Sequence, residues 1–309
     1  MNTSPHRSDF VHVNGVRLHY LDWGGKGNAL IFLAGMGCNA HIFDSLAPRF
    51  ADAFHVLALT RRGHGEADHP ETGYELDKMV EDILQFMDKQ GIEKAIFAGH
   101  SLAGVELSRI NALHPERVLK LVYLDSAFYR NESAFKELQE RNPLRTISIP
   151  GANAEYTSLD EYLEQMPKWH PSLALVWNKA MKEQSPHEYE LNDKGVVVDK
   201  MTDAIGAALL AGVSDYAPED WLIRVPTLSF VSIPDGDQFI AEYMTEEQKS
   251  QVREHIDIHN RGWLLQNIEQ FRRNVPHAHI VEIPHGHHYC FLHTEELVYE
   301  EMRKFLLRA

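Results

Sequence analysis

The chemistry of this chain centres on one serine. In Ala95-Ile96-Phe97-Ala98-Gly99-His100-Ser101-Leu102-Ala103-Gly104 an apolar run passes through a tight turn into a helix, which is the setting of a nucleophile elbow. A serine on such a turn sits on strained backbone, so the residues two places to either side must be small enough for strand and helix to approach. Gly99 and Ala103 meet that need. A serine that merely caps a helix would also stand at a helix start, but the Gly-flanked strand-turn-helix context favours the nucleophile. A hydroxyl is a weak nucleophile until a base takes its proton, and histidine has the pKa to take it and return it to a leaving group. An acid must then hold the imidazole in the right tautomer. His285, His287 and His288 crowd one stretch, Ile283-Pro284-His285-Gly286-His287-His288-Tyr289-Cys290-Phe291. No carboxylate or cysteine cluster completes a metal site there by recognisable spacing, so neither metal nor cofactor is expected.

The elements that must position these residues can be read from periodicity. Phe10 to Val13 and Val16 to Tyr20 flank Asn14-Gly15, the dipeptide of a tight hairpin. Continuous apolar runs follow at Ala29 to Leu33, His55 to Leu59, Ala95 to Ala98, Leu119 to Leu124, Thr227 to Ile233 and His279 to Ile283, which predicts six buried strands. Leu76, Met79, Val80, Ile83, Leu84 and Met87 repeat with helical spacing, as do Val298, Met302, Phe305 and Leu306 near the end of the chain. Strands alternating with helices imply a mostly parallel, doubly wound α/β sheet with right-handed crossovers. From 128 to 221 the alternation stops, and a polar, aromatic-rich segment with Phe135, Tyr156, Tyr162, Trp169, Trp177, Tyr189 and Tyr216 reads as an inserted helical cap. The core is then expected in 1–127 and 222–309.

With these residues in view, the chain resembles the α/β-hydrolase superfamily over nearly all of its length outside the presumed cap. Ala103 stands where the usual G-x-S-x-G ends in glycine, with Gly104 one place later. Serine, where aspartate would serve dehalogenase or epoxide hydrolase chemistry, argues against both. The resemblance implies a base after the last strand; the spacing His-Tyr-x-Phe favours His288, with His287 as runner-up and His285 a polar loop residue. It implies an acid after the penultimate strand, where counting from Pro226 favours Asp235; Asp237 remains open, as does Asp125 after Leu121-Val122-Tyr123-Leu124. It also implies oxyanion donors at the amides of Leu102 and Met36, the latter in Leu33-Ala34-Gly35-Met36-Gly37-Cys38. Arg61-Arg62-Gly63-His64-Gly65 resembles a familiar segment of these proteins, expected to shape a loop rather than to react.

Composition narrows the partners. A formal net charge of −15 with no basic run disfavours nucleic acid, and long-range steering mildly disfavours anionic substrates. No apolar stretch approaches the roughly 20 residues of a spanning helix, and Met1 to Ser8 carry no leader-like apolar region, so a cytoplasmic protein is expected. Two cysteines, Cys38 and Cys290, suit a reducing compartment. The expected activity is hydrolysis of a small to medium, partly apolar ester through an acyl-enzyme. The alternatives are another bond on the same triad (lactone, amide or carbon-carbon) or a non-catalytic ligand-binding protein on the same fold. Oligomeric state is not legible.

Overall fold

The computed structural model of the chain describes residues 6–127, 133–152, 154–214 and 216–308. Eight strands form one sheet: β1 (Arg7–Val13), β2 (Val16–Gly24), β3 (Ala29–Leu33), β4 (His55–Leu59), β5 (Ala95–His100), β6 (Val118–Leu124), β9 (Thr227–Ile233) and β10 (His279–Pro284), in the order β1-β2-β4-β3-β5-β6-β9-β10. The opening hairpin turns at Asn14-Gly15, both with positive φ, and β2 runs antiparallel to β4. Every other pairing in the sheet is parallel. All six expected runs are strands. The last, β10, is not buried as expected: it lies at the sheet edge, where His279 and Glu282 face outward and one backbone edge is unpaired.

Apolar residues on both faces of the central strands explain the layering, because successive side chains of a strand point to opposite sides. Ile31, Leu57, Phe97, Leu121 and Tyr123 face α1 (Leu76–Lys89) and α2 (Ala103–Leu113), which contribute Met79, Ile83, Phe86, Leu107 and Ile110 to the same layer. Leu30, Phe32, Val56, Ile96, Val122 and Phe230 face the other way. They pack with Val298, Met302, Phe305 and Leu306, the stripe of the C-terminal helix (Glu295–Leu306) read from the sequence.

Between β6 and β9 the chain carries α3 (Ser133–Glu140), α4 (Leu159–Trp169), α5 (Pro171–Ala174), α6 (Lys179–Gln184) and α7 (Asp203–Ser214). It also forms an antiparallel pair, β7 (Tyr189–Leu191) and β8 (Val197–Asp199), that a wholly helical reading missed. Strands of three residues are too short to show alternation. Tyr156, Tyr162, Trp169 and Tyr189 pack edge to face with one another, while Val176, Ala180 and Met181 join the sheet's own core. Phe128, the expected start of the insertion, and the Phe135 side chain lie outside the described residues. After β9 come α8 (Glu246–Glu254), α9 (Arg261–Asn274), α10 (Cys290–His293) and α11, the C-terminal helix Glu295–Leu306.

The loop Arg61-Arg62-Gly63-His64-Gly65 is a structural brace, as its sequence suggested. Arg61 Nε donates to Glu106 at 2.7 Å and Arg62 forks onto Asp82 through two bonds of 2.7 Å, all four groups being buried. Breaking a buried pair from one side strands a charge and costs about 3–5 kcal/mol. Burial pushes His64 down to about 3 and His19 down to about 4, so both are neutral in the folded state at neutral pH. Their folded pKa values lie below the roughly 6.5 of the unfolded chain. Stability is therefore fully present above pH 6.5 and is lost as pH falls towards 4, at up to about 1.4 kcal/mol per pH unit for each histidine. Urea midpoints measured from pH 7 to 4.5 should fall, and less steeply for His64→Gln; a flat wild-type profile would contradict this burial.

Candidate active site

Ser101 follows β5 on a residue with φ of 54°, a left-handed conformation that serine enters at a cost. The turn places its half-buried side chain between the sheet edge and α2. The approach of strand and helix is close: a Cβ on Gly99 would sit 2.8 Å from Leu107 and 3.1 Å from the Ala103 methyl. Ala103 therefore fits where a glycine is usual. The neighbouring Gly104 has a different task, since any Cβ there would overlap the backbone carbonyl of Ser126. The residue displaced by one from the expected motif lets the loop after β6 lie against α2.

That loop carries the aspartate that pairs with His288. Asp125, with φ of 52°, closes β6, and its amide donates to the Phe230 carbonyl at 3.0 Å. Its carboxylate is used on both oxygens. Oδ1 accepts from the Ser232 amide at 2.7 Å, and Oδ2 lies 2.7 Å from His288 Nδ1. His288 Nε2 in turn lies 2.9 Å from Ser101 Oγ. Its own carbonyl is 3.0 Å from His100 Nε2, so His288 is tied through its backbone to the elbow. An imidazole with a carboxylate on Nδ1 is held as the tautomer whose Nε2 can accept the serine proton.

Ser101 and His288 thus stand together as expected, and Asp235 does not join them. Asp235 Oδ2 is 2.8 Å from Nδ1 of the exposed His285, and Oδ1 accepts from the Asp237 amide at 2.9 Å, capping the turn Gly236–Phe239. Those hydrogen bonds, the Asp237 amide first and His285 second, hold its pKa below the usual carboxylate range. Asp237 is engaged by Arg253 at 2.7 Å. His287 is buried and its Nδ1 accepts from the Tyr289 amide at 3.0 Å; burial first, then the neighbouring His288, pushes it down to about 4.

Met36 and Leu102 line one cavity with Ser101, of about 780 Å³. The strand-β3 loop presses on the elbow: a Cβ on Gly35 would fall 2.8 Å from Ser101 Cβ and 2.8 Å from His100 Nδ1. Arg61 braces this loop from below, donating to the Ala34 carbonyl at 3.0 Å. On the other side of the base, a cavity of about 380 Å³ is bounded by Asp125, His287, His288, Phe239 and Trp263. Gln139 of α3 borders both.

A sequence model described as the alpha/beta hydrolase family matches residues 30–301. The chain belongs to the alpha/beta hydrolase family. Among curated relatives, this alpha/beta hydrolase is 38% identical over 104 residues to a putative non-heme haloperoxidase of Mycobacterium phage D29, a match covering 33% of this chain and 37% of that one. It is 33% identical over 117 residues to the 2-(acetamidomethylene)succinate hydrolase of Mesorhizobium japonicum, covering 38% and 42%. Both matches span less than half of the relative's length. Among solved structures, an E-2-(acetamidomethylene)succinate hydrolase superposes with a TM-score of 0.75 over 97% of this chain and 99% of that one, at 20% identity. A marine microorganism esterase gives 0.64 over 93% and 98%, at 22%.

Among the described residues of this hydrolase, two groups away from Ser101 have the side chains of a metal site: His6, His41 and Asp44, and His19, His41 and Glu66. Their side chains lie against one another and against neighbouring hydroxyls. Asp44 lies 3.0 Å from His6 and 2.9 Å from His41, while His19 meets Ser8 at 2.9 Å and Thr60 at 3.0 Å. His41 also stacks on His187, with ring centroids 4.2 Å apart. None of these residues lines the Ser101 cavity.

The two aspartates separate cleanly by experiment. Asp125→Asn removes the tautomer control and should lower kcat on p-nitrophenyl acetate by roughly 10³ to 10⁴. Asp235→Asn should stay within about twofold of wild type. The reverse order would return the acid's role to Asp235.

Proposed function

We propose that the chain is a serine hydrolase that cleaves a small to medium, partly apolar carboxylic ester through an acyl-enzyme. The observation that carries this reading is the unbroken relay from Asp125 to His288 to Ser101, with steps of 2.7 and 2.9 Å. His288 Nε2 takes the proton as Ser101 Oγ attacks the carbonyl carbon, and Asp125 stabilises the imidazolium that forms. The amides of Met36 and Leu102 receive the oxyanion, as preorganised donors that need not turn when charge develops. His288 then returns the proton to the leaving alcohol, and the carbonyl re-forms as an ester of Ser101. Water, deprotonated by His288, attacks that ester, and collapse of the second tetrahedral intermediate releases the acid and restores Ser101.

The two cavities suit the two halves of an ester. The larger, on the side of Met36 and Leu102, would take the acyl chain, and the smaller, beside His288, the leaving group. The segment 128–221 acts in this reading as a cap, with Leu210 and Val213 of α7 and Gln139 of α3 over the nucleophile. The two cysteines are buried and unbridged, which fits a reducing cytoplasmic setting, and no described helix is long and apolar enough to cross a membrane.

One observation favours a second bond type on the same triad. The 33% identical stretch shared with 2-(acetamidomethylene)succinate hydrolase belongs to a protein named for a substrate with an acetamido group. A panel of p-nitrophenyl esters and matching p-nitroanilides, offered to wild type and to Ser101→Ala, His288→Ala and His287→Ala, decides. Esters should be turned over by wild type and lost in the first two variants by at least about 10³, while His287→Ala keeps its kcat if folded. Preference for the anilides would make the enzyme an amidase. A folded wild type inert on both, with Ser101 unlabelled by a fluorophosphonate, would make it a binding protein.

A further inference from the structure

The larger cavity has an uneven wall. Met36, Leu102, Val105, Leu210, Val213, Tyr216 and Pro218 make most of it apolar, but Lys136, Glu140 and Arg145 face it on one side. Arg145 closes the turn Pro143–Arg145, which Asn142 caps by accepting from the Leu144 amide at 3.1 Å. Leu144 and Ile147 on either side of it pack on Ala241, Met244, Val252 and Ile256. The backbone that carries Arg145 is thereby anchored to the hydrolase core.

Among the described residues its guanidinium has no hydrogen bond or ion pair. In a chain with a formal charge of −15, arginines readily find carboxylates, and Arg62, Arg109, Arg141 and Arg303 all do. No acidic group lies within 4 Å of Arg145 or Lys136 among the described residues. Glu137, next to Lys136, is taken by Arg141, and Glu140, one turn on, makes no pair with Lys136. Among the described residues the wall therefore offers two unpaired cations against one carboxylate, beside a cavity otherwise lined by apolar and neutral polar residues.

We infer that the substrate is an acyl compound with a carboxylate remote from the scissile carbonyl, read by Arg145 with Lys136 beside it. This rests on the serine-hydrolase reading above and names the substrate class for it. An arginine fork meets a carboxylate through two parallel hydrogen bonds, which fixes orientation as well as adding attraction. The overall negative charge does not oppose this at short range. At physiological ionic strength fields fade over about 8 Å, so the groups on the cavity wall decide what is held there, while the net charge only slows encounter. The mild bias against anions expected from composition is thus reversed locally.

Mono-p-nitrophenyl esters of adipate, pimelate and suberate, each compared with its neutral ω-methyl ester, test the assignment. Wild type should favour the free acid of at least one chain length by tenfold or more in kcat/KM, chiefly through KM. Arg145→Met should raise KM for that acid ten- to a hundredfold with kcat within about threefold, leaving the methyl ester unchanged, and Arg145→Lys should recover part of the loss. Equal use of acids and methyl esters by wild type, or a preference that survives Arg145→Met and Lys136→Met together, would overturn the inference. If wild type turned over none of these esters, the ester reading would fall by itself. Calorimetric binding of the same free dicarboxylates would then decide: tighter binding to wild type than to Arg145→Met supports the anion site, and equal binding removes it.

Discussion

The site depends on one buried carboxylate that has to satisfy two donors from different parts of the sheet. Asp125 takes the Ser232 amide from the end of β9 on one oxygen and the His288 ring on the other. A buried carboxylate without such partners would be costly, so the groups that pay for its burial are the same ones that fix the base. The loops after β6, β9 and β10 are drawn to a single point at the ends of parallel strands, where open α/β sheets place their sites. Gly104 makes room for this by letting α2 touch Ser126, whose hydroxyl donates to the Gly99 carbonyl at 2.8 Å. Acid loop and nucleophile elbow are thus locked to each other through backbone contacts rather than through the catalytic side chains alone.

Strands and helices were legible because their patterns were pure. Runs such as Ala29 to Leu33 are apolar on both faces and can only be central strands, and the helical stripe of Met79, Ile83 and Met87 meets one sheet face as its spacing requires. The pairing of Ser101 with His288 was legible for the same reason: Ser101 sits in a strand-turn-helix context, and His288 has a spacing that His287 lacks. The acid was not. Both candidate loops end a strand with an aspartate, and the count favoured Asp235. A local signal pointed the other way, because Asp235-Gly236-Asp237-Gln238 has the form of a capping box, and the structure forms it. A carboxylate engaged by its own turn and by His285 has no reason to reach His288.

What the sequence could not convey is how charge is arranged around the cavity. Thirty basic and forty-five acidic residues give only a sum, whereas the surroundings of Ser101 depend on which cations are consumed by ion pairs and which are not. Arg61 and Arg62, adjacent and conspicuous, are both spent on buried carboxylates under the sheet edge, and Arg145, unremarkable in sequence, borders the cavity with no ion pair among the described residues. Segment 128–221 was read from its aromatics, yet Tyr156, Tyr162, Trp169 and Tyr189 cluster with one another, while Tyr216 borders the Ser101 cavity beside aliphatic and charged residues.

The central claim, that Asp125 and His288 activate Ser101, is met most directly by mapping a covalent probe. The protein is treated with a fluorophosphonate, digested, and its peptides weighed, alongside His288→Ala and Asp125→Asn. The account predicts stoichiometric adduct on the peptide containing Ser101 in wild type, with labelling slowed by orders of magnitude in both variants. Adduct on another residue, or equal labelling of Ser101 in all three proteins, would contradict it.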